Sequence, residues 1–387
     1  MLKRRIYEHD HEMFRVSVRR WAEAEVFPHG EAWREAGIVS RDIWASAGAQ
    51  GFLAPYAAER HGGLELDDFR YDMIIAEEIT PRESGLFIPL HNRVVGPYLR
   101  DFATTEQQDR FMPGVVDGSK ILAIAMTEPG AGSDLAGITS HARDMGDHWL
   151  LNGSKTYISN GILADLVIVA ARTNTDNPHH IGLFMVETGM EGFVRGRQLR
   201  KMGLASQDTA ELFFENVRVA KANVLGDPGA GFKMMMKNLA EERMIGSAGV
   251  LARAERAFAL TLEFIKDRKA FGQPIGMFQN SRFKMAEMRT KLDAATALFD
   301  HSVLQMMGGT LAPEIAAEVK LLTSETEGRV VDECLQLFGG AGYMDEYEIS
   351  RLYRDARISR IYAGTSEIMK EIIGRGLGLD DRPKARK

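Results

Sequence analysis

Residues 123–138 read AIAMTEPGAGSDLAGI, and the character of the chain changes around them. Gly130-Ala131-Gly132 lets backbone come close to a ligand, while Thr127 and Ser133 offer hydroxyls. The stretch is no dinucleotide fingerprint, because the third glycine would fall at position 135, which is Leu135. A GxxxxGK[ST] phosphate loop is absent from the whole sequence. Taken only as a glycine-rich loop, it is either a plain turn or a cradle for a ligand.

Upstream, to about residue 120, the pattern is mainly helical. In EMFRVSVRRWAEAEVFP, Phe14, Val18, Trp21 and Val26 recur at roughly helical spacing, and Pro28 is expected to stop the run. DDFRYDMIIAEEIT repeats the pattern with Pro81 behind it. Downstream, HWLLNGSKTYISNG, LADLVIVAART, IGLFMVET and TAELFFENVRV are short β-rich runs. Turns are expected at Asn152-Gly153 and Asn160-Gly161, and the runs together read as a small antiparallel sheet. From Gly231 the helical period returns: Ile315, Val319 and Leu322 share a face, and Pro313 suits a first helical turn. The expected fold is therefore multidomain α and β. It has an α-helical domain over 1–120, an antiparallel β-domain over 121–230 and a helical bundle over 231–387.

A chain of 387 residues is long enough for two or three packed units. Apolar residues make up 45% and charged ones 26%, as in ordinary soluble proteins. The net charge of −6 argues against nucleic acid as the main partner. No apolar run is long enough to span a membrane. A lone cysteine, Cys334, excludes an internal disulfide and suits a reducing compartment; with LQLF after it, it reads as a small buried hydrophobe. MLKRRIYEHDHE lacks both a signal-peptide core and an acid-poor transit segment. The expected location is the cytoplasm, or the mitochondrial matrix for a mature processed form.

Taken whole, TEPGAGSD is far more specific than a glycine-rich loop. It resembles the signature of the acyl-CoA dehydrogenase family of flavoproteins. YISNG (157–161), KMGLASQDTAELFFENVRV (201–219), RKAFGQPIGMFQ (268–279), QLFGGAGY (336–343) and IYAGTSEI (361–368) match further family motifs in order and spacing. The resemblance covers essentially the whole chain. It implies three domains, with the C-terminal one a four-helix bundle, a homotetramer, and FAD between the β-domain and the C-terminal bundle. By the same resemblance Met126, Thr127, Ile158 and Ser159 would face the isoalloxazine ring with Tyr157 stacked beside it. Gly132 and Ser133 would border the pyrophosphate and the substrate. Arg268, Phe271 and Gln279, with Gln336, Leu337, Phe338, Gly339 and Gly340, would reach the distal part of FAD from a neighbouring subunit. Thr365, Ser366 and Glu367 would lie on the cofactor side of the last motif. Each residue also has an ordinary structural reading; Arg268 alone would be a solvated helix charge.

The chemistry implied is removal of an α-proton and a β-hydride from a fatty acyl-CoA, giving the trans-2-enoyl-CoA. A carboxylate takes the proton, and hydrogen bonds stabilise the developing enolate at the thioester carbonyl. In many members the base is a glutamate in the turn matching YAGT, where this chain has Ala363. The isovaleryl- and long-chain-specific branches instead carry it on a helix. Glu242, in MMMKNLAEERMIGS, fits that arrangement. Without the resemblance, Glu241 and Glu242 are simply two solvated helix acids; Glu367 is the competing carboxylate. The backbone N–H of Ala363, beside Gly364, would polarise the thioester, and Arg243 would anchor the CoA portion. Ala240 replaces an aspartate that contacts CoA in several shorter-chain members. Met234 to Met236 read either as an adaptable acyl pocket or as core.

Local details favour the long-chain branch, with electron-transferring flavoprotein as acceptor. The alternatives are a short- or branched-chain dehydrogenase and an acyl-CoA oxidase, which usually carries an extra C-terminal domain. Two others are a DNA-associated flavoprotein of the alkylation response, which needs a long basic tail where this chain has RPKARK (382–387), and a non-catalytic acyl-CoA binder.

Overall fold

The computed structural model describes residues 3–174, 177 and 179–379, so the basic run at 382–387 lies outside the described residues. The chain divides into two compact units: His9–Leu239, and everything from Ala240 onward together with the residues before His9.

The first unit opens with six helices: α1 (His9–Trp21), α2 (Gly30–Ala36), α3 (Asp42–Ala49), α4 (Phe69–Ile79), α5 (Gly96–Phe102) and α6 (Thr105–Asp117). Val18, Trp21 and Val26 are all buried, as their spacing requires. Pro28, however, does not end the helical path. Beyond Trp21 the helix widens into a π turn over Ala22–Val26, then tightens to a 3-10 turn at Phe27–His29 that leads straight into α2. A proline near the start of a helical turn gives up only an N–H that had no partner anyway. Helix α4 does stop before Pro81, and Asp68 caps its start by accepting the Arg70 N–H.

Eight strands follow: β1 (Leu122–Ala125), β2 (His141–Asp144), β3 (His148–Ser159), β4 (Leu166–Arg172), β5 (Ile181–Glu187), β6 (Phe193–Gln198), β7 (Thr209–Ala220) and β8 (Val224–Leu225). They form one sheet in the order β6-β7-β3-β2-β4-β5-β8, with β1 also against β4. It is antiparallel except where β1 and β2 run parallel to β4. Strands β4 and β5 are buried along nearly their whole length, which explains their unbroken apolar runs.

Asn160-Gly161 does turn, with Asn160 at φ 58°. Asn152-Gly153 does not: it lies inside β3, at a register shift against β7. There the Asn152 amide oxygen accepts the Asn216 N–H at 2.9 Å, and Gly153 takes φ 143°. The dipeptide marks a β-bulge, because a strand partner 64 residues away supplies the bonds a hairpin would have closed locally.

The second unit holds most of α7 (Gly231–Asp267), a small hairpin of β9 (Lys269–Ala270) and β10 (Gln273–Pro274), then α8 (Gln279–Met307), α9 (Pro313–Phe338), α10 (Glu348–Ala356) and α11 (Ser366–Gly376). The three long helices are joined by two short ones, α10 and α11, which both pack on α9 in place of a fourth long helix. Pro313 sits in the first turn of α9. The buried face of α9 runs through Ala316, Val319, Thr323, Thr326 and Val330, and Leu322 lies outside it at the surface. Inside this unit Cys334 is fully buried, and burial pushes its thiol up to about 12. Among the described residues no helix is long and apolar enough to cross a membrane, and no side-chain cluster could hold a metal ion.

Candidate active site

Within the helical unit, one narrow cleft gathers Glu242, Arg243, Ser247, Lys320, Thr323, Tyr362 and Ala363. The space open to a water centre is about 10 Å³, roughly one water. Glu242 is not a solvated helix acid: only 8% of it is exposed, while Glu241 beside it lies further out. The structure thus brings together the glutamate and the alanine that the family resemblance paired, although 121 positions separate them (363 minus 242).

Arg243 is equally buried. Its Nε has no hydrogen-bond partner among the described residues, and burial draws its pKa down against the opposing pull of Glu242. A buried guanidinium with an unspent donor is costly to keep unless something polar completes it. Ala363 stands at φ 53° and Gly364 at φ 95°, two successive left-handed residues that turn the backbone before α11. For alanine that region is disfavoured, so the surrounding contacts must impose it. Thr365 then caps α11, its hydroxyl accepting the Ile368 N–H at 3.3 Å. Ser366 donates to Glu325 Oε1 at 2.6 Å. Glu367 points to solvent in the first turn of α11, and its own backbone amide and Thr365 hold its carboxyl below the usual range. Of the two candidate carboxylates, Glu242 alone lines the cleft.

The remaining C-terminal motifs sort by exposure. Arg268, Gln279, Gln336, Gly339 and Gly340 are exposed. Phe271, at φ 51°, tips the β9–β10 hairpin with 95% of its surface bare. A Cβ added at Gly339 or Gly340 would meet nothing within 4 Å, so both leave open space beside backbone. Leu337 is half-buried, and Phe338 is spent in the core, stacked on Phe264 at 4.1 Å between centroids. Only its backbone can serve a ligand.

In the first unit, the 126–133 stretch lies against the distorted part of β3. Thr127 O accepts the Thr156 N–H at 3.0 Å, next to a second register shift between Lys155 and Ile158. Tyr157 sits in that shift at φ 60°, its ring 70% exposed, while Ile158 points into the sheet core. Met126, Thr127 and Ser159 are half-buried; Gly132 and Ser133 are exposed, with open space at Gly130 and Gly132. Beneath them is a buried ion pair the sequence reading missed. Lys155 Nζ donates to Glu128 Oε1 at 2.8 Å and to Met126 O at 3.0 Å. Glu128 also accepts from Thr139 N at 2.6 Å and Ser140 N at 3.0 Å. Burial works to raise the Glu128 pKa, but Lys155 and these donors win and bring it down to about 2. A strained, exposed tyrosine beside glycines with no neighbour above them is a surface that suits a flat aromatic ligand with a phosphate tail. Met234 and Met235 belong to this unit's core; Met236 is exposed.

Comparison with known proteins matches this arrangement along the chain. The N-terminal domain of acyl-CoA dehydrogenases matches residues 8–119, the middle domain 123–217 and the C-terminal domain 229–378. The chain belongs to the acyl-CoA dehydrogenase family. It is therefore placed among flavin-dependent oxidoreductases. The mitochondrial long-chain specific acyl-CoA dehydrogenase of Mus musculus is 43% identical, over 97% of this chain and 88% of that one. An acyl-CoA dehydrogenase crystal structure from Geobacillus kaustophilus superposes with a TM-score of 0.95 at 44% identity, covering 97% of this chain and 100% of that one. A glutaryl-CoA dehydrogenase from Mycobacterium smegmatis, solved in complex with FADH2, superposes with a TM-score of 0.90 at 26% identity, covering 98% and 97%.

Proposed function

We propose that the protein oxidises a medium- or long-chain fatty acyl-CoA to the trans-2-enoyl-CoA, with Glu242 as the base. The observation that carries this reading is the shared cleft: a buried glutamate on α7 opens onto the same space as the acid-free turn at Ala363. FAD, when bound, supplies the hydride acceptor. Tyr157, Met126, Thr127, Ser159, Gly132 and Ser133 would hold its ring and pyrophosphate. Arg268, Phe271, Gln279 and the 336–340 backbone, from another copy in a homotetramer, would hold its distal part, with Thr365, Ser366 and Glu367 on the cofactor side.

The chain's own contribution is proton transfer and orientation. Glu242 takes the α-proton as general base, from a cleft with room for about one water. The Ala363 N–H donates to the thioester oxygen, a role that needs no side chain and tolerates the alanine. Arg243 offers its unspent Nε to the acyl-CoA. The helix-borne base, the small turn residue and the 43% identity to a long-chain enzyme together favour longer acyl chains. Electron-transferring flavoprotein is the proposed acceptor, in a cytoplasm or mitochondrial matrix.

The test is an anaerobic titration of the purified holoprotein with saturated acyl-CoAs of graded length, following the flavin band. Bleaching that strengthens with chain length is expected. In Glu242→Gln turnover should fall at least a hundredfold, while flavin content and acyl-CoA binding persist. Normal turnover by that variant would remove Glu242 from the reaction.

A further inference from the structure

The cleft contains a second cation that the reaction as drawn does not use. Lys320, on α9, is 4% exposed. Its Nζ donates to the Gly364 carbonyl at 2.5 Å, and it lines the same space as Glu242 and Arg243. Five residues further along α9, Glu325 accepts the Ser366 hydroxyl at 2.6 Å. One helix thus grips the chain at the carbonyl of the Gly364–Thr365 peptide and again at the Ser366 side chain. Arg243 Nη2 also comes near this turn, 3.9 Å from where a Cβ on Gly364 would stand.

Two buried cations side by side repel, and a lysine kept there against desolvation needs a use. A backbone held at left-handed φ in both Ala363 and Gly364 also needs an outside constraint. The Gly364 carbonyl is the end of that turn, and a charge-assisted bond to it is a strong one. We propose that Lys320 is a positioning residue, whose ammonium clamps the Gly364 carbonyl and thereby aims the Ala363 N–H at the thioester oxygen. This rests on the dehydrogenase reading, since without a thioester there is nothing to aim at.

The clamp carries a pH dependence. The charged groups around Lys320 are Glu242 and Arg243 from α7, which line the same cleft, and Glu325 from its own helix and the exposed Glu367 from α11, whose charges reach it, with Tyr362 in the turn. Burial first, and Arg243 second, bring the lysine down to about 8, against the pull of Glu325 and Glu367. Below that pH the clamp is charged. Above it the amine is neutral and grips less firmly, so the turn loosens and turnover declines.

The experiment compares wild type, Lys320→Met and Lys320→Arg holoenzymes in kcat, KM and pH profile on either side of pH 8. In Lys320→Met, kcat should fall about ten- to a hundredfold, the scale of a misaligned reacting group, with KM changed far less. The alkaline limb should vanish with it and move upward in Lys320→Arg, which stays charged. Calorimetric affinity for a thioether analogue, which lacks the carbonyl, should be the same in wild type and both variants. An unchanged kcat with the alkaline limb intact in Lys320→Met overturns the clamp and leaves the dehydrogenase standing. If Lys320→Met does not fold, an unmoved alkaline limb in Lys320→Arg overturns it equally. Wild type that no acyl-CoA reduces sinks the underlying reading instead.

Discussion

Replacing Glu128 by glutamine tests how the loop at 126–133 is held. The carboxylate is 4% exposed and meets four donors: Lys155 Nζ at 2.8 Å, Thr139 N at 2.6 Å, the Thr139 hydroxyl at 2.8 Å and Ser140 N at 3.0 Å. A glutamine keeps one acceptor oxygen and turns an NH2 towards donors. It also leaves the Lys155 ammonium, fully buried, without its counter-charge. Removing one partner of a buried pair costs about 3–5 kcal/mol. Linkage gives a similar size: a carboxyl moved from 4.5 to about 2 represents ~3 kcal/mol. That stability is present above the unfolded carboxyl's pKa and is lost as pH falls from there towards 2. All four tryptophans, Trp21, Trp33, Trp44 and Trp149, lie in the His9–Leu239 unit, so their fluorescence in urea follows this unit. Glu128→Gln should destabilise it by about 3–5 kcal/mol. Lys155→Met, which leaves the backbone donors on Glu128 in place, should cost less. The double variant should fall short of the sum by about 2 kcal/mol, because the stranded charge is gone. Additivity within ~0.5 kcal/mol would refute the pairing as the source of the stability.

Acid should expose a second buried group. His91 accepts the Leu122 N–H at Nδ1 and so donates from Nε2 to Val115 O, and burial above all holds it down to about 4. Its folded pKa lies below its unfolded one, so its contribution is complete above about pH 6.5 and fades towards pH 4, by ~3 kcal/mol in all. His91→Gln should flatten that slope in urea midpoints measured across this window; an unchanged slope would reject it. Gly364→Ala places a Cβ 2.6 Å from Met369 Cε at φ 95°. A strain of about 1–3 kcal/mol and a fall in kcat measured beside it are expected, and wild-type turnover would show the turn to be tolerant.

The order of helices, sheet and helices was legible because periodicity is local and each region is long. The pairing of Glu242 with Ala363 was legible only through the family resemblance, since no periodicity links a helix residue to a distant turn. Asn152-Gly153 misled for a related reason: its bulge depends on Asn216, across the sheet. Pro28 misled because a π turn before it changed the helical phase. Lys155 and Glu128 gave no signal, for neither lies on an apolar periodic stripe in sequence and each becomes buried only when β3 meets the loop. Lys320 did leave one: it follows Val319 and precedes Thr323, on the buried stripe of α9, where a lysine has no reason to be unless it reaches a partner.

The base proposed here sits on a 37-residue helix, not on the turn that would face the thioester. A loop residue can be adjusted by its immediate neighbours, but a helix residue moves only with the whole rod. Glu242 is therefore indexed by packing well down α7, where Ala254 and Ala257 share one buried core cluster with Val330 and Cys334 of α9. Ala254 is twelve residues along, about 18 Å at helical rise. An overpacked core there would shift the rod and read out as slow proton abstraction. In such an enzyme, inherited or engineered lesions far from the cleft would be mistaken for active-site defects.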